Sequence, residues 1–306
     1  MEAYLKRRLL TLLPVVFGVV TGVFLLIHLI PGDPVVLMLG ENAQPADIEA
    51  LRHALGLDLP LWQQYLLFWQ QLLQGNLGQS LYHRQPVLQL VLDRLPATML
   101  LAGCALVVSL LVAVPLGILA GLRQRSWLDY LSLTVSILGI SMPVFWLGPL
   151  LILLFAVKWH WLPVAGAGSW KHLVLPSFTM GFGLAAITLR MIRASMIEVM
   201  TRDFIRTAYA KGLPRRQVVL RHALRNVLIP VVTIVGLQLG ALFGGAVITE
   251  VVFSYPGVGR LLILSILRRD YPLVQGTILV IAFLYILVNL LTDLVYSRID
   301  PRIRLE

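Results

Sequence analysis

Apolar residues along this chain come in long unbroken runs, with the polar residues gathered between them. Six runs stand out, at Leu9–Ile30, Ala97–Leu122, Tyr130–Val157, His172–Met191, Leu228–Phe253 and Leu273–Tyr296. Each has roughly the 20 apolar residues that a helix needs to cross about 30 Å of hydrocarbon. The pattern predicts an all-α polytopic membrane protein with six transmembrane helices. The first run follows a basic Lys6-Arg7-Arg8 start. It is too long for the apolar core of a signal peptide and no small-residue cleavage site follows it, so it reads as an uncleaved span.

Composition supports the bilayer as solvent. Of 306 residues, 58% are hydrophobic and 13% charged, more apolar surface than a soluble domain of this size can bury. The net charge of +10 suggests nucleic acid until its distribution is considered. With the N-terminus inside, 17 of the 25 Lys and Arg fall in cytoplasmic pieces, nine of them between Arg190 and Arg225. That is the positive-inside bias of a membrane protein, and it places both termini in the cytoplasm. Cys104, the single cysteine, lies within an apolar run, so neither an intrachain disulfide nor a thiolate metal cluster can form.

Two inter-span segments are longer than a connection requires. The first, an external elaboration over 31–96, carries Pro45 and Pro60 as helix openers and Gly56 and Gly75 as stops. Its second helix sets Trp62, Tyr65, Leu66, Trp69, Leu72 and Leu73 at helical spacing. It suits either a membrane-interface helix or a surface for a soluble external partner. The second is a cytoplasmic segment over 194–227. A helix is expected from Ser195 to Lys211, a left-handed stop at Gly212, Pro214 in the first turn of a second helix to Asn226, and Pro230 introducing span five. Small residues at this corner (Ala208, Ala210, Gly212) allow close approach by another protein, with Arg206, Lys211, Arg215 and Arg216 available to an acidic rim. A solvated topogenic loop fits the same residues.

Elsewhere, Tyr255-Pro256-Gly257 reads as a turn at the outer end of span five. Glu250 and Arg260 flank it, and Glu250 has Arg260, Arg268 and Arg269 as possible partners. Met142, Pro143, Phe145 and Trp146 form a proline kink with aromatics in span three, and with Gln238 in span five they are the candidate pathway lining, lipid-facing packing being the alternative. No lysine follows a glycine, so no phosphate-binding loop exists here, and no histidine pair has zinc-protease spacing. The rival class is an ion-coupled secondary transporter or channel. Arg190, Glu250 and Asp293 lie towards span ends, leaving ion coupling without a visible carrier at mid-bilayer.

The stretch RTAYAKGLPRRQVVLRHALRN, Arg206 to Asn226, resembles the cytoplasmic coupling loop of ABC importer permeases. Arg206-Thr207-Ala208 stands where the broader superfamily has Glu-Ala-Ala, and Gly212 matches the loop glycine. Further stretches are similar to the B-type subunit of the dipeptide/oligopeptide/nickel branch: HLIPGDP (His28–Pro34), LGLDLPLWQQY (Leu55–Tyr65), SMPVFWLG (Ser141–Gly148), WLPVAG (Trp161–Gly166), EVVFSYPGVGRL (Glu250–Leu261), RRDYPLVQG (Arg268–Gly276) and YSRIDPRIR. The resemblance runs end to end. It implies a type I ABC importer permease fold in one membrane domain over 1–306, in the bacterial inner membrane. The chain would form half of a pathway for peptides or similar small solutes. The implied partners are a second homologous permease, two ATP-binding subunits carrying ATP and Mg, an external solute-binding protein and membrane lipid, with no nucleic acid. The chain itself would be non-catalytic and bind no cofactor. The resemblance implies an ATPase-coupling role for Arg206, Thr207, Ala208, Ala210, Lys211, Gly212, Pro214, Arg215 and Arg216. For Glu250, Tyr255, Pro256, Gly257 and Arg260 it implies an outer gate or binding-protein dock. Dipeptide, oligopeptide, glutathione and nickel complexes all remain open as solutes.

Overall fold

The computed structural model describes residues 2–29, 34–40, 44–54 and 56–299. The closing YSRIDPRIR from Asp300 onward, Ile30–Asp33 of HLIPGDP, Leu55, and the side chains of Lys6, Arg7 and Arg8 lie outside the described residues. In chain order the helices are α1 (Glu2–Leu29), α2 (Pro34–Leu39), α3 (Pro45–Ala54), α4 (Leu61–Leu73), α5 (Val87–Leu122), α6 (Trp127–Ser141) and α7 (Val144–Leu151), which widens into a π-helical stretch at Ile152–Lys158. There follow α8 (Lys171–Met200), α9 (Asp203–Ala210) and α10 (Arg215–Gln217), then a π-helical stretch at Val218–Ala223 leading into α11 (Leu224–Val252). The chain continues with α12 (Val258–Leu267) and α13 (Tyr271–Ile299).

Helical segments coincide with all six expected spans. Four are long and apolar enough to cross a bilayer: Val87–Leu122, Lys171–Met200, Arg215–Gly240 and Tyr271–Leu294. Leu10–Leu26 is a shorter apolar helix, and the third span is a bent pair, Trp127–Ser141 with Val144–Lys158, at 108°. The bend exceeds the expected kink, and its cause is local. Pro143 has no N–H to give α6, and its ring holds Met142 extended (φ −86°, ψ 113°). The Pro143 carbonyl then accepts from the Trp146 and Leu147 amides at 3.0 Å and starts α7 in a new direction.

The described chain forms two compact units. One comprises the residues up to Pro96 with Gly257–Leu287, the other Ala97–Pro256 with the residues from Val288 onward. The boundaries at Pro96 and Leu287 fall inside α5 and α13 rather than in loops.

In the second unit α8 is the central helix: 56% of its apolar stretch is buried, against 28% for Arg215–Gly240. Lipid tails are as apolar as leucine, so helices in a membrane associate through close packing at small residues. That packing is present here. A Cβ on Gly117 or Gly121 of α5 would stand 2.8 Å from Ile192 or 2.6 Å from Met196, and one on Gly181 of α8 only 2.5 Å from the Ala105 carbonyl oxygen. On α6, Ser132, Ser136 and Gly139 form the buried stripe. The two serine hydroxyls are satisfied by the Asp129 and Ser132 carbonyls at 2.8 and 2.9 Å, so they pack as small residues.

In the first unit the expected pair of helices before α5 is present as α3 and α4, each followed by a left-handed glycine, Gly56 (φ 64°) and Gly75 (φ 72°). Phe68, Trp69 and Leu72 of α4 pack with Val20 and Val23 of α1. The Thr21 and Tyr65 hydroxyls meet at 2.7 Å. Trp62, Leu66 and Leu73, along the adjoining flank of α4, remain exposed.

Candidate functional site

The α8–α11 turn departs from its expected course at three points. First, the single helix expected over Ser195–Lys211 is broken at Thr201-Arg202. Arg202 is extended (φ −71°, ψ 149°), and Thr201 closes α8 through its hydroxyl bond to the Glu198 carbonyl at 2.7 Å. The break turns α9 back so that Ile205 and Ala208 join the core of Leu189, Ile192 and Met196, and Asp203 occupies α9's favourable first turn. Second, Pro214 precedes α10 as its N-cap residue instead of lying within the first turn. Third, Pro230 lies inside α11. Only the bond to the Asn226 carbonyl is lost there, at a position exposed on the surface, so the second helix runs without interruption into the span. Gly212 adopts the left-handed conformation expected of it (φ 77°).

Ala208 corrects the reading of the corner's small residues: it is 5% exposed and packed inside its own chain, so it offers no groove to a partner. The outward face of the segment is Phe204, Arg206, Thr207, Tyr209, Ala210, Lys211 and Gly212, followed by Pro214, Arg215 and Arg216. Sequence reasoning missed Phe204 and Tyr209. Their spacing to Ile205 and Ala208 on an eight-residue helix was the available signal, hidden because α9 was read as part of a longer helix.

Between α6 and α8 lies a part-buried ion pair that the sequence did not disclose. The Asp129 carboxylate accepts from Arg193 Nε at 2.5 Å and from its second guanidinium nitrogen at 3.0 Å, and from the Arg125 backbone N–H at 2.9 Å. This fork joins the start of α6 to α8 two turns before α8 ends. The partners are 64 residues apart, beyond any helical spacing rule.

The α11–α12 turn forms at Tyr255-Pro256-Gly257 as expected, with Ser254 left-handed (φ 47°). Its side chains do not form an exposed dock. Tyr255 is 3% exposed and packs with Leu101, Ala105, Leu242 and Ala246, and burial pushes its phenol above the ordinary tyrosine range. Glu250 is fully buried and accepts from the Thr98 hydroxyl at 2.6 Å. Gly257 is buried and opens α12, while Arg260 is half-buried. Arg268, one of the partners considered for Glu250, lies 3.9 Å over the Tyr82 ring.

The pathway residues separate into two places. Met142, Pro143, Phe145 and Trp146 share the α6–α7 elbow, with Phe145 and Trp146 exposed. Gln238 is 7% exposed. It is buried between α8 and α11, accepting from the Thr188 hydroxyl at 3.2 Å and donating to the Leu184 carbonyl at 3.3 Å. A distinct apolar crevice of about 410 Å³ lies between Met99 and Gly103 of α5, Val232 and Gly236 of α11 and Leu291 of α13.

Residues 113–305 match the family of the binding-protein-dependent transport system inner membrane component, and residues 1–102 match the N-terminal region of such membrane components. The chain belongs to this family. Over 301 residues it is 44% identical to the glutathione transport system permease protein GsiC of Escherichia coli strain K12, with 98% of each chain covered. Identity and coverage are the same for the protein of that description from Pectobacterium atrosepticum. Among solved structures, the inward-facing MetNI methionine ABC transporter matches with a TM-score of 0.57 at 16% identity, over 69% of this chain and 97% of that one. An amino acid ABC transporter matches at 0.52 and 15%, over 70% and 94%. At these identities the likeness concerns the fold, which is that of an ABC importer permease. The chain is thus a non-catalytic, membrane-embedded permease component of a binding-protein-dependent ABC importer. In this permease the α9 turn is part of the core of the second unit, and the elbow and the buried Gln238 are features of its spans.

Proposed function

We propose that this permease forms half of a translocation pathway with a second homologous permease, and that two cytoplasmic ATPase subunits drive it through α9. Both termini then lie in the cytoplasm and the segment before α5 lies outside. One observation carries this reading: α9 has two faces. Ile205 and Ala208 belong to the same core as Leu189, Ile192, Val227 and Val231 of the spans, while Phe204, Arg206, Thr207, Tyr209, Ala210 and Lys211 face outward. A close-packed core transmits displacement because it cannot compress, so a push on the outward face moves α8 and α11 together. ATP and Mg belong to the partner subunits in this scheme, and this chain supplies the lever.

The substrate class we propose is a small peptide delivered by an external binding protein. Support comes from the relatives named for glutathione transport, which align with 98% of this chain. The test is purification of tagged chains from their own membranes, comparing wild type with Tyr209→Ala and Arg206→Glu. Both positions are exposed, so the variants are expected to reach the membrane at normal levels yet lose most co-purifying ATPase. Retention of ATPase at wild-type levels in both variants would overturn the role given to α9.

A further inference from the structure

A second built surface occurs on the first unit. Asp270 ends the α12–α13 connection and is 1% exposed. Its carboxylate is saturated by donors: the Ser80 hydroxyl at 2.5 Å and the backbone N–H groups of Leu81, Tyr82 and Leu273 at 3.3, 3.2 and 3.3 Å. One carboxylate therefore caps α13 and holds the loop over Gly78–Pro86. The loop closes on itself as well. Ser80 N–H donates to the Gln85 carbonyl at 2.9 Å, Val87 N–H to the Gly78 carbonyl at 3.0 Å, and His83 N–H to Ser80 Oγ at 2.9 Å.

Interior hydrogen bonds thus fix a short loop whose tip is exposed. Tyr82 is 61% exposed, and the Arg268 guanidinium lies 3.9 Å over its ring. Arg268 also reaches His83 Nε2 at 3.3 Å. Arg84 is exposed on the same loop, and Ile266 and Leu267 are exposed beside Arg268. The patch is cationic, and the carboxylate that orders its loop, Asp270, is buried. Tyrosine and arginine, with tryptophan, are enriched among the residues that dominate protein interfaces.

We infer that this patch, Tyr82 with Arg84 and Arg268, is where an acidic face of the soluble binding protein docks. The inference rests on the outward orientation proposed above. One argument favours a protein over phospholipid. A headgroup layer is fluid and accepts mobile cationic side chains, whereas a rigid partner gains from a loop already ordered.

The experiment uses the assembled transporter in nanodiscs and the binding protein that co-purifies with it. Arg268→Glu is expected to weaken their affinity about ten-fold or more and Tyr82→Ala by about five-fold, with the complex recovered at normal yield. Added salt is expected to weaken wild-type binding and to have much less effect on Arg268→Glu. A photoreactive benzoylphenylalanine at Tyr82 should cross-link to the binding protein in cells. Unchanged affinity in Arg268→Glu, or adducts confined to phospholipid, would overturn this docking surface while leaving the importer reading intact. A wild-type complex that binds no soluble protein at all would overturn both.

Discussion

The Asp129 carboxylate is taken out of water and is satisfied by Arg193, whose guanidinium is only partly shielded. Asp129 is 5% exposed and Arg193 24%. Removing one partner of a fully buried pair typically costs about 3–5 kcal/mol, whereas replacing both by apolar residues can be nearly neutral; partial exposure of Arg193 places this pair below that range. Asp129→Ala is therefore expected to lower the thermal midpoint of the purified transporter. The double change of Asp129 and Arg193 to leucine should recover much of the loss. A double-mutant cycle on melting temperature checks this, and additive effects would contradict a direct coupling. Residue-level identity was partly legible in the sequence. Gly212 was, because a glycine before a helix-opening proline has few other roles. Ala208 was misread, because a small side chain suits a tight external contact and a tight internal one equally well.

At the scale of elements, existence was legible and continuity was not. Hydropathy marks where a helix lies in the bilayer, but it carries no signal for a change of direction within an apolar run. The α6–α7 elbow shows this: Pro143 announced a break, while its 108° size depends on Met142 being held extended and on Gly148 packing against Val252 and Phe253. Pro143→Ala restores the missing donor and is expected to straighten the pair. Spin labels at exposed Tyr130 and Val157, in a background with Cys104 replaced, should then report a longer distance by pulsed electron resonance. An unchanged distance would mean that packing around Gly148 holds the elbow without the proline. Pro230, by contrast, sits inside α11 without ending it; Asn226, four residues earlier, whose carbonyl has no proline N–H to accept, is exposed.

For the whole molecule, the class of energy source is the property most open to test. Uptake of labelled glutathione or a dipeptide by cells is expected to survive a protonophore while ATP is held high, and to stop on ATP depletion. Loss of uptake with ATP still high would favour the ion-coupled alternative. The sequence by itself determined that the bilayer is the solvent, roughly where six helices lie, and which stretch joins spans four and five as a basic turn. These properties are sums over many residues, so local exceptions do not erase them. Tertiary structure alone decided which face of α9 turns inward, which carboxylate meets Arg193, and that Gln238 and Tyr255 are buried. It also decided that Asp270 holds a loop 190 residues earlier in the chain. Each of these depends on which surfaces meet after the chain has folded, and a hydroxyl or carboxylate has the same spelling whether its partner is water or another helix.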